Sequence, residues 1–169
     1  MGRMSSRWKP SVTVAAIVEH LGRFLLVEEH TSDGLCLNNP AGHLDPGESP
    51  LQGVVREALE ETARTFVPTG IVGIYLSRSQ RLGTERDTGR DNTYLRIAFR
   101  GTVGEPDLSR ALDTGIVRAL WMTPDEIRAS VHRHRSPLLL RCVDDHLAGV
   151  NLPLSLITTD ESVFAVPSK

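Results

Sequence analysis

The run AGHLDPGESPLQGVVREALEETARTF, residues 41–66, admits few structures. Gly42, Pro46, Gly47 and Pro50 make its first part a turn, because glycine and proline interrupt helices and strands. From Ser49 the signals reverse. Serine is a strong N-cap, proline suits the first helical position, and Gln52 completes a capping box. The spacing then predicts a helix whose buried face carries Leu51, Val54, Val55, Ala58 and Thr62. Glu57, Glu60 and Glu61 fall within about 100° of arc on a different face. Like charges three and four residues apart destabilise an exposed helix by a few tenths of a kcal/mol per pair. Something should offset that repulsion: a metal ion, a basic partner, or only water and salt.

An amphipathic helix needs other elements to bury against. SVTVAAIVEH and RFLLVEE, separated by a turn at His20, Leu21 and Gly22, read as a β-hairpin rich in valine and leucine. A turn around Asp33-Gly34 leads to a strand end at LCLNNPAG. GIVGIYLS (70–77) is a strand weakened by Gly73, and TYLRIAFRG (93–101) sets Leu95, Ile97 and Phe99 against Tyr94, Arg96, Ala98 and Arg100. IVRALWMT adds another strand. Thr123 to Glu126 opens a helix with a second capping box, and Ser136-Pro137 opens a longer one that Gly149 closes. Interspersed in this way, the elements give an α/β chain, a mixed β-sheet flanked by two or three helices.

At 169 residues, 40% hydrophobic and 24% charged, the chain suits one domain with a core at about 9–157 and tails on either side. A net charge of −2 implies no surface for a nucleic-acid polymer. The two cysteines, Cys36 and Cys142, form no C-x-x-C, as expected of a reduced, cytoplasmic protein. The apolar run VTVAAIV behind Arg3, Arg7 and Lys9 is cut off by Glu19 and His20, unlike a secretory signal. No apolar stretch is long enough to span a bilayer, so no membrane partner is expected. A monomer and a homodimer both remain open.

Three carboxylates converging from one helix suit a hard divalent cation, which takes oxygen ligands while keeping waters and binding substrate phosphates. A solvated acidic face is the alternative. The surroundings decide between them. Gly42, five residues, Glu48, seven residues, Arg56-Glu57, two residues, Glu60-Glu61 is a long pattern with fixed gaps. It closely resembles the Nudix hydrolase superfamily, whose box reads G-x5-E-x7-R-E-U-x-E-E-x-G-U with U apolar. The resemblance implies an α/β/α sandwich with a loop-helix-loop catalytic motif, and a Mg²⁺- or Mn²⁺-dependent hydrolase of small phosphorylated compounds. By position it makes Glu57 and Glu61 metal ligands, Glu60 a ligand or water-mediated contact, and the carbonyl of Ala41 or Gly42 a further ligand. It also makes Arg56 and Glu48 a pair that orients the helix.

The segments KPSVTVAAIVEHLGRFLLVEE, NNPAGH, LRIAF and RSPLLLRCVDDHLAGVNLPL resemble a bacterial NudJ-type phosphatase subgroup of that superfamily. This implies release of inorganic phosphate from nucleoside tri- or diphosphates or related small pyrophosphates. Hydrolysis of ADP-ribose or dinucleoside polyphosphates, or nucleotide sensing without turnover, are the alternatives. Full retention of Glu57, Glu60 and Glu61 favours an enzyme. Ala63 and Arg64 depart from the box, and alanine at a left-handed helix end costs roughly 1 kcal/mol. Gly115 stands where many relatives place a catalytic carboxylate, six residues before a tryptophan like Trp121. Asp113, Glu85, Asp87, Asp91 or Glu57 itself could then act as base. Arg96, Asn39 and His43 are the candidate substrate contacts. Arg78, Arg81, Arg86 and Arg90 sit in a lengthened polar loop, His132 and His134 invite a metal reading, and Trp121 and Tyr94 could stack on a base or pack in the core.

Overall fold

The computed structural model describes residues 8–32, 34–80 and 91–165. Arg3, Arg7, Arg81, Glu85, Arg86, Asp87 and Arg90 lie outside the described residues. The elements run β1 (Ser11–His20), β2 (Arg23–Thr31), β3 (Gly34–Asn38), β4 (Ala41–His43), α1 (Pro50–Thr62), β5 (Phe66–Gln80), β6 (Asp91–Val103), β7 (Ile116–Met122), α2 (Pro124–Ala129) and α3 (Leu138–Leu147). Short 3₁₀ turns at Val131–Arg133, Leu154–Leu156 and Glu161–Phe164 complete the chain, the last of them in the segment read as tail.

The hairpin β1–β2 turns through Leu21 (φ 50°) and Gly22 (φ 75°). Both central residues have positive φ, the signature of a type I′ turn whose twist matches its strands. The strand order is β3-β2-β1-β6-β5, with β4 paired to β1 and β7 to β2. β1 and β6 run parallel over Ser11–Val18, while the other pairings are antiparallel. β1 and β2 pair only beside their turn, at Glu19↔Phe24 and His20↔Arg23. Farther from the turn β1 takes β4 as neighbour and β2 takes β3 and β7, so the sheet opens into a cleft.

Both faces of the sheet are covered, which explains why β1 is buried continuously from Thr13 to Val18. On one face Val14, Ala16, Val18, Leu25, Ile97 and Phe99 pack with Val54 and Ala58 of α1. On the other, Ala15, Ile17, Leu26 and Ala98 pack with Ile127 of α2 and Leu139, Cys142 and Val143 of α3. The architecture is an α/β/α sandwich.

Two boundaries differ from the sequence reading. LCLNNPAG is two strands, because Pro40 has no N–H to continue a ladder and the chain switches partner there from β2 to β1. β5 starts at Phe66 rather than Gly70. It is the edge strand, where Pro68 is tolerated, and bulges at Pro68/Gly70 and Ile71/Gly73 absorb the breakers. A Cβ on Gly73 would lie 2.6 Å from the Tyr75 hydroxyl, so the strand's weak residue makes room for a ring.

Candidate active site

The start of α1 is built as its sequence demands. Ser49 Oγ accepts from Gln52 N at 3.2 Å and Gln52 Oε1 accepts from Ser49 N at 2.8 Å, satisfying two helix-end donors reciprocally. The helix ends at Ala63, whose φ of 55° and ψ of 25° put an alanine in the left-handed conformation. Asp107 N and Asp113 N then donate to the carbonyls of Ala63 and Glu60, hanging the 104–115 loop on the last turn of α1. Arg64, in place of an apolar residue, lies 5.7 Å over the Trp121 ring and donates to Gly104 O. Its guanidinium covers an aromatic face as an apolar side chain would.

Arg56 is the hub of the helix's acidic side. Nε and Nη2 grip both oxygens of Glu48 at 3.0 and 2.7 Å, and Nη2 also donates to His43 O at 2.9 Å. Nη1 donates to Glu57 at 2.8 Å and to Glu60 at 3.0 Å. The fork–fork pair with Glu48 ties the loop before α1 to the helix itself. It also holds the Glu48 carboxyl below the usual range and lifts the Arg56 guanidinium above its own.

Glu57 and Glu61 are both buried. A Cβ on Gly42 would sit 2.2 Å from Glu57 Cδ, so the carboxylate occupies the space that a side chain there would fill. Glu61 Oε2 accepts from Ala41 N at 2.8 Å. Burial pushes the Glu57 carboxyl up despite Arg56 beside it. It pushes Glu61 up to about 8, with Glu57, Glu29 and Asp113 adding repulsion against the single favourable bond from Ala41. Two buried carboxylates that resist ionisation are what a divalent cation would reverse. Among the described residues no three His, Cys, Asp or Glu side chains form a preassembled metal cage. Glu60 is only half-buried and turned to Arg56. The donors fit a hard ion such as Mg²⁺ or Mn²⁺, which needs one or two carboxylates and otherwise keeps water and phosphate.

The cleft wall is formed by residues sharing one face of the sheet. Thr13 of β1 stands opposite both Arg96 of β6 and His43 of β4, and Arg96 stands opposite Tyr75. Arg96 is buried, and Nη1 reaches the Oδ1 of buried Asn39 at 3.5 Å. His43 is exposed and its ring lies 6.1 Å from that of Tyr94. Tyr94 therefore belongs to the cleft, whereas Trp121 packs with the α1-side core. Asp113 is exposed, and its Oδ1 accepts from Thr114 N. Gly115 has φ 95°, a conformation that favours glycine over any carboxylate-bearing residue. His134 donates to Ile127 O at 3.0 Å, and burial lowers its pKa, so it braces the chain after α2. His132 is exposed.

Comparison with known proteins agrees with this geometry. The model of the NUDIX domain matches residues 7–142. The chain belongs to the NUDIX family. Phosphatase NudJ of Escherichia coli K12 is 29% identical over 150 residues, covering 89% of this chain and 92% of the relative. A NUDIX hydrolase from Nitrosomonas europaea is 45% identical, superposes with a TM-score of 0.79 and covers 90% of this chain and 99% of its own. A MutT protein from Methanosarcina mazei Go1 is 25% identical with a TM-score of 0.60, covering 85% and 99%. This NUDIX protein is a hydrolase.

Sequence reading missed two residues near the site of this NUDIX hydrolase. In VHRHR the histidines invite a metal reading, but the arginine that follows each of them makes the long-range contacts. Arg133 is ion-paired with buried Glu28, which Arg118 also holds at 2.9 Å. Arg135 Nη1 donates to Glu29 at 2.6 Å. The available signal was the pair Glu28-Glu29, two consecutive carboxylates at the end of an otherwise apolar strand.

Proposed function

We propose that this NUDIX hydrolase is Mg²⁺- or Mn²⁺-dependent and releases inorganic phosphate from nucleoside tri- or diphosphates or related small pyrophosphates. The observation that carries the metal reading is the Glu57 carboxylate lodged against Gly42 beside buried Glu61. Glu57 and Glu61 would hold the ion, joined by a main-chain carbonyl. Ala16 N→Pro40 O and Leu44 N→Val12 O fix the alternation of the β1–β4 ladder. The Ala41 peptide group therefore points away from β1, as its N–H to Glu61 does, and Ala41 offers the carbonyl while Gly42 offers space. Glu60 would join through water. The bound ion would supply Lewis-acid activation of a phosphoryl oxygen and of water.

The chain's own residues do the rest. Arg56 and Glu48 fix the helix against the loop so that Glu57 and Glu61 keep their spacing. Asp113, on a loop hung from the same helix and within electrostatic range of Glu61, would accept the attacking water's proton. Arg96 and Asn39 bind phosphate in the cleft, with His43 and Tyr94 toward the nucleoside. Similarity to a protein named as a phosphatase supports attack at a terminal phosphorus.

The test is a panel of nucleoside tri- and diphosphates, ADP-ribose and diadenosine polyphosphates, assayed for phosphate and pyrophosphate with Mg²⁺ and with chelator. Phosphate should dominate and chelator should abolish it, and Glu57→Gln and Glu61→Gln should each lower turnover by orders of magnitude. Dominant pyrophosphate release would overturn the phosphatase reading. Undiminished activity in excess chelator would overturn the metal reading.

A further inference from the structure

Five buried side-chain polar atoms among the described residues have no hydrogen-bond partner, and four of them belong to Thr13, Glu29, Asn38 and Arg96. Thr13 and Arg96 are register neighbours across β1 and β6. Glu29 and Asn38 are diagonal neighbours across β2 and β3, where Glu29 pairs with Cys36 and Asn38 with Val27. The two pairs meet near Asn39 and Glu61: Asn39, next to Asn38, touches Arg96, and Glu29 and Arg96 each lie within electrostatic range of Glu61. Buried polar atoms are almost always satisfied, so a group of orphans in one place marks a polar guest.

The charges there have a sign. Arg96 is buried with Nε unsatisfied, and its favourable carboxylate neighbour is Glu61, the residue that a cation would claim. Arg135 adds a second guanidinium close enough to disfavour the charge on Arg96. Its backbone N donates to Leu37 O at 2.9 Å, which seats the chain at 134–135 against the end of β3, two residues from Asn39. Its side chain is half exposed and is anchored to Glu29 through Nη1. Two guanidiniums, one deep and one at the rim, are thus both tied to the segment 37–39, and an anion held by the two would offset their repulsion.

We propose that Arg135, steadied by Glu29, forms with Arg96 a two-guanidinium cradle for the free terminal phosphate of the substrate, making Arg135 a substrate-binding residue that selects uncapped polyphosphates. This rests on the proposed phosphohydrolase reading for its substrate, not for its geometry. A terminal phosphate presents three oxygens and up to two charges to forked donors, whereas a phosphate capped on both sides presents two oxygens and one charge. Arg135 would thus favour nucleoside tri- and diphosphates over dinucleoside polyphosphates and ADP-ribose.

The test measures binding of inorganic tripolyphosphate to the full chain by calorimetry in chelator, alongside KM for a nucleoside triphosphate and for diadenosine tetraphosphate with Mg²⁺. Arg135→Ala should weaken tripolyphosphate binding and raise the triphosphate KM by about 10- to 100-fold, the span of a charge-assisted hydrogen bond. The KM for diadenosine tetraphosphate should change less than about threefold, and Arg135→Lys, which keeps charge but loses the fork, should fall between. Arg118→Ala, which breaks the neighbouring ion pair with Glu28, should leave all three values unchanged and controls for general surface charge. Unchanged binding and KM in Arg135→Ala, with or without a fall in melting temperature, would overturn the cradle. Equal losses on capped and uncapped substrates would overturn it too. If the wild type hydrolyses nothing yet binds tripolyphosphate through Arg135, the cradle stands and the hydrolytic reading falls.

Discussion

Gly42→Ala isolates the role of a single vacancy. The new Cβ would lie 2.2 Å from Cδ and Oε1 of Glu57 and 2.3 Å from Oε2, where ordinary contact begins near 3.4 Å. Gly42 is not among the residues with positive φ, so alanine is unstrained by its own backbone. The carboxylate must therefore retreat by about 1 Å, a displacement that at a reacting centre can cost about 100-fold in rate. That equals about 2.7 kcal/mol of transition-state stabilisation. The price in stability should be small, because the end of a long side chain yields more easily than the helix. Overpacking at about 1 kcal/mol would lower Tm by about 2–4 °C in a chain of this size. Steady-state phosphate release with saturating Mg²⁺ and thermal melts in chelator measure the two effects separately. A double mutant with Glu57→Gln should lose little more than either single mutant, since both changes remove the same group. Turnover within threefold of wild type would refute the reasoning, as would a Tm loss above about 10 °C, which would mean that the backbone gave way.

Three further outcomes are expected. Burial places Glu61 near 8 in the fold against 4.5 when unfolded, so its ionisation destabilises the metal-free protein. The wild type should lose stability relative to Glu61→Gln as pH rises from 4.5 to about 8, with no divergence outside that window; a constant difference in chelator melts across it would contradict this. Ala63→Gly relieves roughly 1 kcal/mol of left-handed strain but gives up a buried methyl worth about 0.8 kcal/mol. Urea denaturation should find the two nearly balanced, and a change beyond about 1 kcal/mol either way would show that one has been misjudged. Leu21→Asn, at an exposed type I′ position, should stabilise by about 0.5–1 kcal/mol, and a loss would mean that Leu21 makes a contact the turn geometry does not reveal.

What the sequence discloses follows the range of the interaction involved. The capping boxes at Ser49 and Thr123 close within three residues and are legible as written. The left-handed exit at Ala63 is not: alanine disfavours that conformation, and only the resemblance to a box with glycine there points to it. The division of LCLNNPAG is not legible, since it depends on β1 and β2 parting, and nothing local to Pro40 announces that. Phe66–Thr69 reads poorly because Pro68 and Gly70 are breakers unless a bulged edge strand receives them. Glu29 and Arg135 lie 106 residues apart, and the doubled carboxylate at Glu28-Glu29 does not say which distant cation it meets. Within α1 the sequence groups Glu57, Glu60 and Glu61 on one arc, but only packing separates two buried carboxylates from one left half-buried.

The parting of β1 and β2 after two residue pairs has a consequence for how such a molecule can diversify. The cleft is opened by main-chain routing, as β1 leaves β2 for β4 and β6, so its existence does not hang on any one side chain of its walls. On the proposed function, what enters would be decided by a few wall residues, Arg96, Asn39, His43 and Tyr94, that lie off the helix carrying Glu57 and Glu61. Selection and chemistry would then occupy separate stretches of chain. Exchange of wall side chains would then retarget the molecule to a new guest while the helix bearing Glu57 and Glu61 passes unaltered from one use to the next.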